Sequence, residues 1–239
     1  VEAVFFKKYP RFVATSSVAS TPGRLNLRHQ VIFDDNREIF EGARVLDIAS
    51  HDGRWSLAAL DAGAKHVTGI EARADLVEHA ADNLAHYGAD PDRYRLIHGD
   101  VFDVLGGSEH ELEADVVLCL GFLYHTLRYQ DLFHGIRSVD PTYLLLDTQV
   151  YRSEEPVVRI KAEDVERQGN SAAGHLSHDG RMLVGRPSPA ALELILDSFG
   201  FEVEKKFDWQ RFLRTRPMVT TVKSYRRGDR VTWMCRRRH

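Results

Sequence analysis

The first half of the chain switches repeatedly between two hydrophobic periods. Arg44 to Ile48 is a short apolar run carrying one acid, Asp47, near its end. The polar turn Ala49-Ser50-His51-Asp52-Gly53 follows, and Trp55, Leu57, Ala58, Ala59, Leu60 and Ala62 then recur at helical spacing. A second apolar run, His66 to Ile70, closes on Glu71. This order predicts strand, turn, helix and strand, a βαβ unit with an acid at the carboxyl end of its second strand. Ala74 to Tyr87 again has helical spacing, with Leu76, Val77, Ala80, Ala81 and Leu84 on one side. Tyr94 to Ile97 predicts a third strand running into His98-Gly99-Asp100-Val101. Asp115 to Leu120 predicts a fourth, apolar enough to be buried on both faces at the centre of a parallel sheet. Tyr143 to Asp147 predicts a fifth. Pro187-Ser188-Pro189 opens a helix over Ala190 to Phe199 that Gly200 stops. Phe201 to Trp209 and Arg230 to Arg236 alternate in the strand manner. The fold class expected is α/β, a doubly wound Rossmann-like sheet, mostly parallel, with helices on both faces.

An acid closing the second strand suits the two hydroxyls of a ribose, so the unit reads as a nucleoside site. A dinucleotide would need G-x-G-x-x-G to seat its pyrophosphate on helix amides. Only Gly53 stands in this turn, and Asp47 and Asp52 would repel a diphosphate. An acidic turn suits a ligand with a cationic amino group and no phosphate. At Asp47, Ala49, His51 and Gly53 the chain resembles the class I S-adenosylmethionine-dependent methyltransferases, whose first motif is acid-x-Gly-x-Gly-x-Gly. Two of the three glycines are replaced here. The resemblance implies S-adenosylmethionine as cofactor, with Glu71 on the ribose and Asp100 and Val101 at the adenine. It places further cofactor contacts at Asp47, Ala49, Ser50, Gly53, Ala72 and Leu120. Phe201 to Trp209 and Arg230 to Arg236 would then form the family's closing antiparallel hairpin. Asn26-Leu27-Arg28-His29-Gln30 resembles the N-terminal cover of small-molecule members, taken as residues 1–40, and there Arg28 would pair with the carboxylate of the donor.

An alcohol acceptor is a poor nucleophile until a base takes its proton. His125, in the loop Gly121 to Thr126 beyond the fourth strand, is the best-placed imidazole, with Tyr124 beside the acceptor. Asp147 is the candidate to orient His125 or to hold a Mg²⁺ ion, although spacing identifies no second metal ligand. Residues 150–186 form a long polar insertion, a candidate lid or substrate cap, in which His175, His178 and Arg181 are candidate acceptor contacts. No Asn/Asp-Pro-Pro-aromatic tetrapeptide and no Pro-Cys pair occurs. That disfavours nucleobase amines and base carbons as acceptors. The polar insertion favours a hydroxyl-rich acceptor. Through LNLRHQVIF, LDIASHDGRWS and GFLYHT the chain looks like a subgroup of sugar O-methyltransferases serving methylmannose polysaccharide biosynthesis. That implies a small sugar or oligosaccharide acceptor, methylated at the 1-hydroxyl of a mannoside. Two alternatives stay open: an amine- or carboxyl-methyltransferase of a small metabolite, and a non-catalytic or RNA-associated S-adenosylmethionine binder.

Composition changes this picture little. The 239 residues are 43% hydrophobic and 28% charged, an ordinary balance for one globular domain. The longest apolar run, Val116 to Tyr124, is too short to span a bilayer, and Lys7 and Lys8 interrupt the patch Val4-Phe5-Phe6. Cys119 and Cys235 fall in expected core strands, which points to a reducing, cytoplasmic setting. Charge is uneven. The chain carries −3 in all, yet twelve Lys and Arg against two Asp follow from Lys205 onward. Intramolecular pairing with the acidic body, or a homodimer contact, is favoured over nucleic acid as the use of this tail. The connection Gln210 to Asp229 is a candidate pocket wall or subunit contact.

Overall fold

A computed structural model describes residues 4–16, 21–107, 111–167, 169–170, 176–216 and 222–238. The central sheet contains β1 (Arg44–Ile48), β2 (His66–Glu71), β3 (Tyr94–His98), β4 (Val116–Leu120), β5 (Tyr143–Gln149), β8 (Phe201–Lys206) and β9 (Arg230–Arg237). Its order is β3-β2-β1-β4-β5-β9-β8. The first five strands are parallel, and β9 runs antiparallel to both β5 and β8. This is the doubly wound sheet expected, with its antiparallel closing pair. β4 explains its own composition: Val116 and Leu118 join the core on one face, Val117 and Cys119 the core on the other, and all four are fully buried. Both cysteines are buried and free.

One face is covered by α4 (Arg54–Asp61) and α5 (Ala74–His86), and by the N-terminal helices α1 (Phe5–Lys8), α2 (Arg11–Ala14) and α3 (Pro22–Ile32). Phe6, Phe12, Phe33, Phe40 and Trp55 fill that layer. The N-terminal segment is locked in by polar contacts as well, since Asn26 Oδ1 accepts from the Phe6 amide at 2.8 Å. The opposite face carries α6 (Val101–Gly106), α7 (Tyr129–Ser138) and α8 (Pro189–Ser198), packed through Leu105, Phe133, Ile136, Leu192 and Leu196. α8 begins where the proline-rich entry predicts, with Ser188 accepting from the Ala191 amide.

Two boundaries differ from the sequence reading. Asp115 lies outside β4 because its carboxylate accepts from the Arg44 amide at 2.8 Å, tying it to the start of β1. The strand expected over Phe201 to Trp209 stops at Lys206. Asp208 then caps α9 (Trp209–Arg214), and Trp209 Nε1 donates to Thr232 Oγ1 at 2.9 Å. A further helix, α10 (Lys223–Arg226), also lies in the connection between β8 and β9.

The long insertion is a second, two-stranded sheet. β6 (Val158–Asp164) and β7 (Arg181–Pro187) pair antiparallel from Val158↔Pro187 to Asp164↔Arg181. It docks on the loop after β4, where the Gly185 amide donates to Thr126 O at 3.1 Å. Gly185 has to be small: a Cβ there would lie 2.5 Å from Tyr129 Oη and 2.6 Å from Leu127 Cδ2.

Candidate active site

A cavity of about 710 Å³ opens beyond the carboxyl ends of β1, β2 and β4. Open α/β sheets place ligands there, and the size suits a nucleoside donor together with a small acceptor. Its cofactor half is built on the first turn. Ala49, His51 and Gly53 have φ of +54°, +54° and +78°, so the left-handed conformations that glycine favours persist where two of the glycines are gone. Glu71 is fixed by that turn. Its Oε2 accepts from the His51 amide and its Oε1 from the Arg73 amide, both at 3.0 Å. Each oxygen keeps a lone pair for a diol, which fits a ribose. Asp100 caps α6 by accepting from the Phe102 amide at 2.8 Å, and Ala72, Val101 and Leu120 line the cavity beside it.

Three expected cofactor contacts are displaced. Asp47 does not line the cavity; it lies beneath the turn and accepts from Ser56 Oγ at 2.7 Å. Burial pushes its carboxyl up to about 7, with Glu71 and Asp52 adding to the effect. Ser50 turns into the sheet, where a Cβ on Gly69 would meet its Oγ at 2.9 Å. Gly53 is buried against Ala80 and serves the turn rather than a ligand. The repulsion assigned to Asp52 also needs correction, because Arg54 neutralises it through Nε at 2.7 Å and Nη2 at 2.5 Å.

The acceptor half is built on Leu123–His125, a single turn of 3₁₀-helix after β4. His125 is not oriented by Asp147. Its Nδ1 meets Glu163 Oε2 of β6 at 2.6 Å, and Lys161 Nζ holds Oε1 of the same carboxylate at 2.5 Å. Burial would raise Glu163, but the bond to His125 and then Lys161 outweigh it and hold the acid down to about 2. A carboxylate on Nδ1 fixes the tautomer with Nε2 as acceptor. Among the described residues no hydrogen bond engages Nε2. Tyr124 packs beside His125 with ring centroids 4.2 Å apart and the rings tilted by 42°, and Arg230 Nη1 donates to its Oη at 3.4 Å. Burial alone would raise the Tyr124 phenol, yet Arg230 and Arg28 hold it below its ordinary value.

Asp147 is fully buried and every direction around it is taken. Arg28 Nη2 (3.0 Å), Arg230 Nε (2.6 Å), Tyr225 Oη (2.8 Å) and Thr232 Oγ1 (2.6 Å) all donate to its carboxylate. Despite its burial, Arg230 and Arg28 hold it down to about 2. With no lone pair facing the cavity, Asp147 does not fit a Mg²⁺ ligand, and among the described residues no three His, Cys, Asp or Glu side chains converge on a metal position. Arg28 does line the cavity, over the Trp55 ring at 4.8 Å. His178 and Arg181 line it from the hairpin and are exposed, whereas His175 lies outside the described residues.

Sequence reasoning missed Glu163 and Arg230. Glu163 falls in the alternating run Val158 to Glu163 and Arg230 opens the expected strand Arg230 to Arg236, but only the docking of the hairpin and the pairing of β9 with β5 bring them to the cavity. The C-terminal cations pair largely within the molecule, Arg237 with Asp140 at 2.6 Å, Arg238 with Asp197 at 2.8 Å and Lys206 with Glu193 at 2.7 Å. Among the described residues no helix is long and apolar enough to cross a membrane.

Residues 45–140 match the family model described as a methyltransferase domain. No curated protein matches the chain in sequence. Solved structures similar to it include the N-terminal domain of EvdMO1, crystallised in the presence of SAH and D-fucose, at 21% identity over 88% of this chain and 82% of that one, with a TM-score of 0.59. An S-adenosylmethionine-dependent methyltransferase from Mesorhizobium loti is similar at 14% identity, over 87% and 98% of the two chains, with a TM-score of 0.59. The PH0226 protein from Pyrococcus horikoshii OT3 is similar at 14% identity over 98% of each, with a TM-score of 0.62. These likenesses establish the fold. The domain match adds that the cofactor half of the chain, residues 45–140, is similar to a methyltransferase domain.

Proposed function

We propose that the enzyme methylates a hydroxyl of a small sugar or oligosaccharide, with His125 as the base. The observation that carries this reading is the His125–Glu163 pair at 2.6 Å on the cavity wall. S-Adenosylmethionine, when bound, supplies a methyl carbon made electrophilic by its sulfonium. Glu71 and Asp100 would hold its ribose and adenine, and Arg28 its carboxylate. His125 Nε2 would accept the proton of the acceptor hydroxyl as its oxygen takes the methyl group, the methyl–sulfur bond breaking to leave SAH. Glu163 stabilises the imidazolium that results. Tyr124 lies beside His125 and would orient the acceptor oxygen; His178 and Arg181 would contact the rest of it from the hairpin. A sugar fits this reading because Asn170, His178 and Arg181 give the hairpin side of the cavity hydrogen-bonding groups beside the apolar Leu176, Met182 and Leu183, and D-fucose accompanies one structurally similar domain.

An amine or carboxylate acceptor would need no such base, and one experiment separates the cases. His125→Ala should lower turnover roughly 10²–10⁴-fold with tritiated donor and a pool of small sugars, while SAH affinity by calorimetry stays near wild type. Glu163→Gln should lower it by a smaller factor. Near-normal turnover in His125→Ala would remove the base from His125 and shift the reading to an amine or carboxylate acceptor.

A further inference from the structure

The end of the cavity formed by α3 and β9 carries more positive charge than the protein compensates. Arg24 and Arg28 stand four residues apart on α3, on one face of the helix, and Arg230 faces them from β9. Among the described residues these three guanidiniums share one carboxylate, Asp147. Asp147 is saturated by Arg28 and Arg230, and no hydrogen bond joins it to Arg24. The Nε atoms of both Arg24 and Arg28 are buried without a hydrogen-bond partner, and Arg28 as a residue is only 8% exposed. Burial, with Arg230 and Arg28 alongside, holds Arg24 below the ordinary arginine value. An uncompensated charge out of water is costly, so such a cluster is built for an anion that arrives with a ligand.

The donor cannot be that anion by itself. Its carboxylate comes with an ammonium and a sulfonium, so the bound donor adds net positive charge. Elsewhere on the cavity wall Asp52 answers Arg54, Asp131 answers Arg128 at 2.8 Å, Arg73 donates to the Val165 carbonyl, and Arg181 is exposed to water. Tyr124 connects the cluster to the proposed base, since its hydroxyl accepts from Arg230 and its ring packs against His125. An anionic group of the acceptor seated on Arg24 and Arg230 would therefore lie within one small molecule of the hydroxyl presented to His125.

We propose that the acceptor is an acidic hydroxyl compound, a sugar carrying a carboxylate or a phosphate, whose anion is bound by Arg24 and Arg230. This rests on the reading of the site as a hydroxyl methyltransferase. The closing experiment uses enzyme saturated with SAH, so that the subsite for the donor's carboxylate is already filled. Calorimetry compares a hexuronate, a hexose phosphate and the neutral hexose. At least one acid should bind about tenfold or more tighter than the neutral sugar, and which acid wins separates carboxylate from phosphate. That advantage should vanish in Arg24→Gln and survive in Arg24→Lys, where a cation is restored. Equal binding of neutral and acidic sugars, or an acid advantage untouched in Arg24→Gln, would overturn the proposal. Running the same panel with tritiated donor keeps the two readings apart. Acids that bind through Arg24 but receive no methyl group support the anion site and count against hydroxyl transfer. Neutral and acidic sugars methylated with equal kcat/KM overturn the anion site and leave hydroxyl transfer standing.

Discussion

Ala49 and His51 hold φ near +54° without being glycine, a conformation that costs about 1–3 kcal/mol at each position. The surrounding structure sustains it because the turn delivers the His51 amide to Glu71, and the Arg73 amide reaches the other oxygen. Glu71 is thereby a carboxylate of fixed orientation before any ligand arrives. Glu71→Ala should weaken SAH by about 2–3 kcal/mol in calorimetry, the scale of hydrogen bonds to a charged group. Unchanged affinity would show that the ribose is held elsewhere. Acids at strand ends were legible because a strand's register says which residue reaches its end. Asp47, two residues before the turn, carries the same kind of signal but points under it. Only the packing of Ser56 above Asp47 distinguishes the two.

At the scale of elements, the hairpin of β6 and β7 completes the site by bringing Glu163 to His125. Its docking depends on Gly185 fitting between Leu127, Tyr129 and Val158. Gly185→Ala would place a Cβ within 2.7 Å of all three and force the hairpin outward. Overpacking of this kind costs about 1–3 kcal/mol, and here it falls on one interface. Turnover should drop by the factor seen in Glu163→Gln, while SAH affinity remains. Hydrogen exchange should quicken at the Gly185 amide, which now donates to Thr126. Loss of SAH binding in this variant would mean that the hairpin shapes the cofactor half too. The extent of the insertion could be read from the chain, but its form could not. Val158 to Glu163 alternates apolar and charged residues, a strand signal, but nothing local to it names Arg181 to Pro187, beyond sixteen intervening residues, as its partner.

Across the whole molecule, Asp147 joins the N-terminal cover to the far edge of the sheet. Arg28 of α3, Tyr225 of α10, and Arg230 and Thr232 of β9 all converge on one carboxylate of β5. Asp147→Asn leaves two buried guanidiniums without their counter-charge and should cost about 3–5 kcal/mol at pH 7 in urea unfolding. The sign of the pH dependence follows from the depressed folded value, 3.8 falling to about 2. Stability contributed by Asp147 is fully present above about pH 4 and is lost as pH falls through about 2. The gap between wild type and Asp147→Asn should therefore be constant from pH 7 to 4 and close below that. A gap that stayed constant to pH 2 would mean that shape, not charge, holds the four elements together.

The sequence by itself determined the sheet, the position of the ligand crevice at its strand ends and the cofactor class, because these follow from local periodicity and from acids at fixed offsets within one βαβ unit. Tertiary structure decided what Asp147 does, which acid orients His125 and where Arg230 stands. Those choices are made by β5 pairing with β9 across a long stretch of chain and by the β6–β7 hairpin docking on the loop after β4. Such pairings depend on the balance of burial and charge in the folded molecule, which no local run of residues encodes.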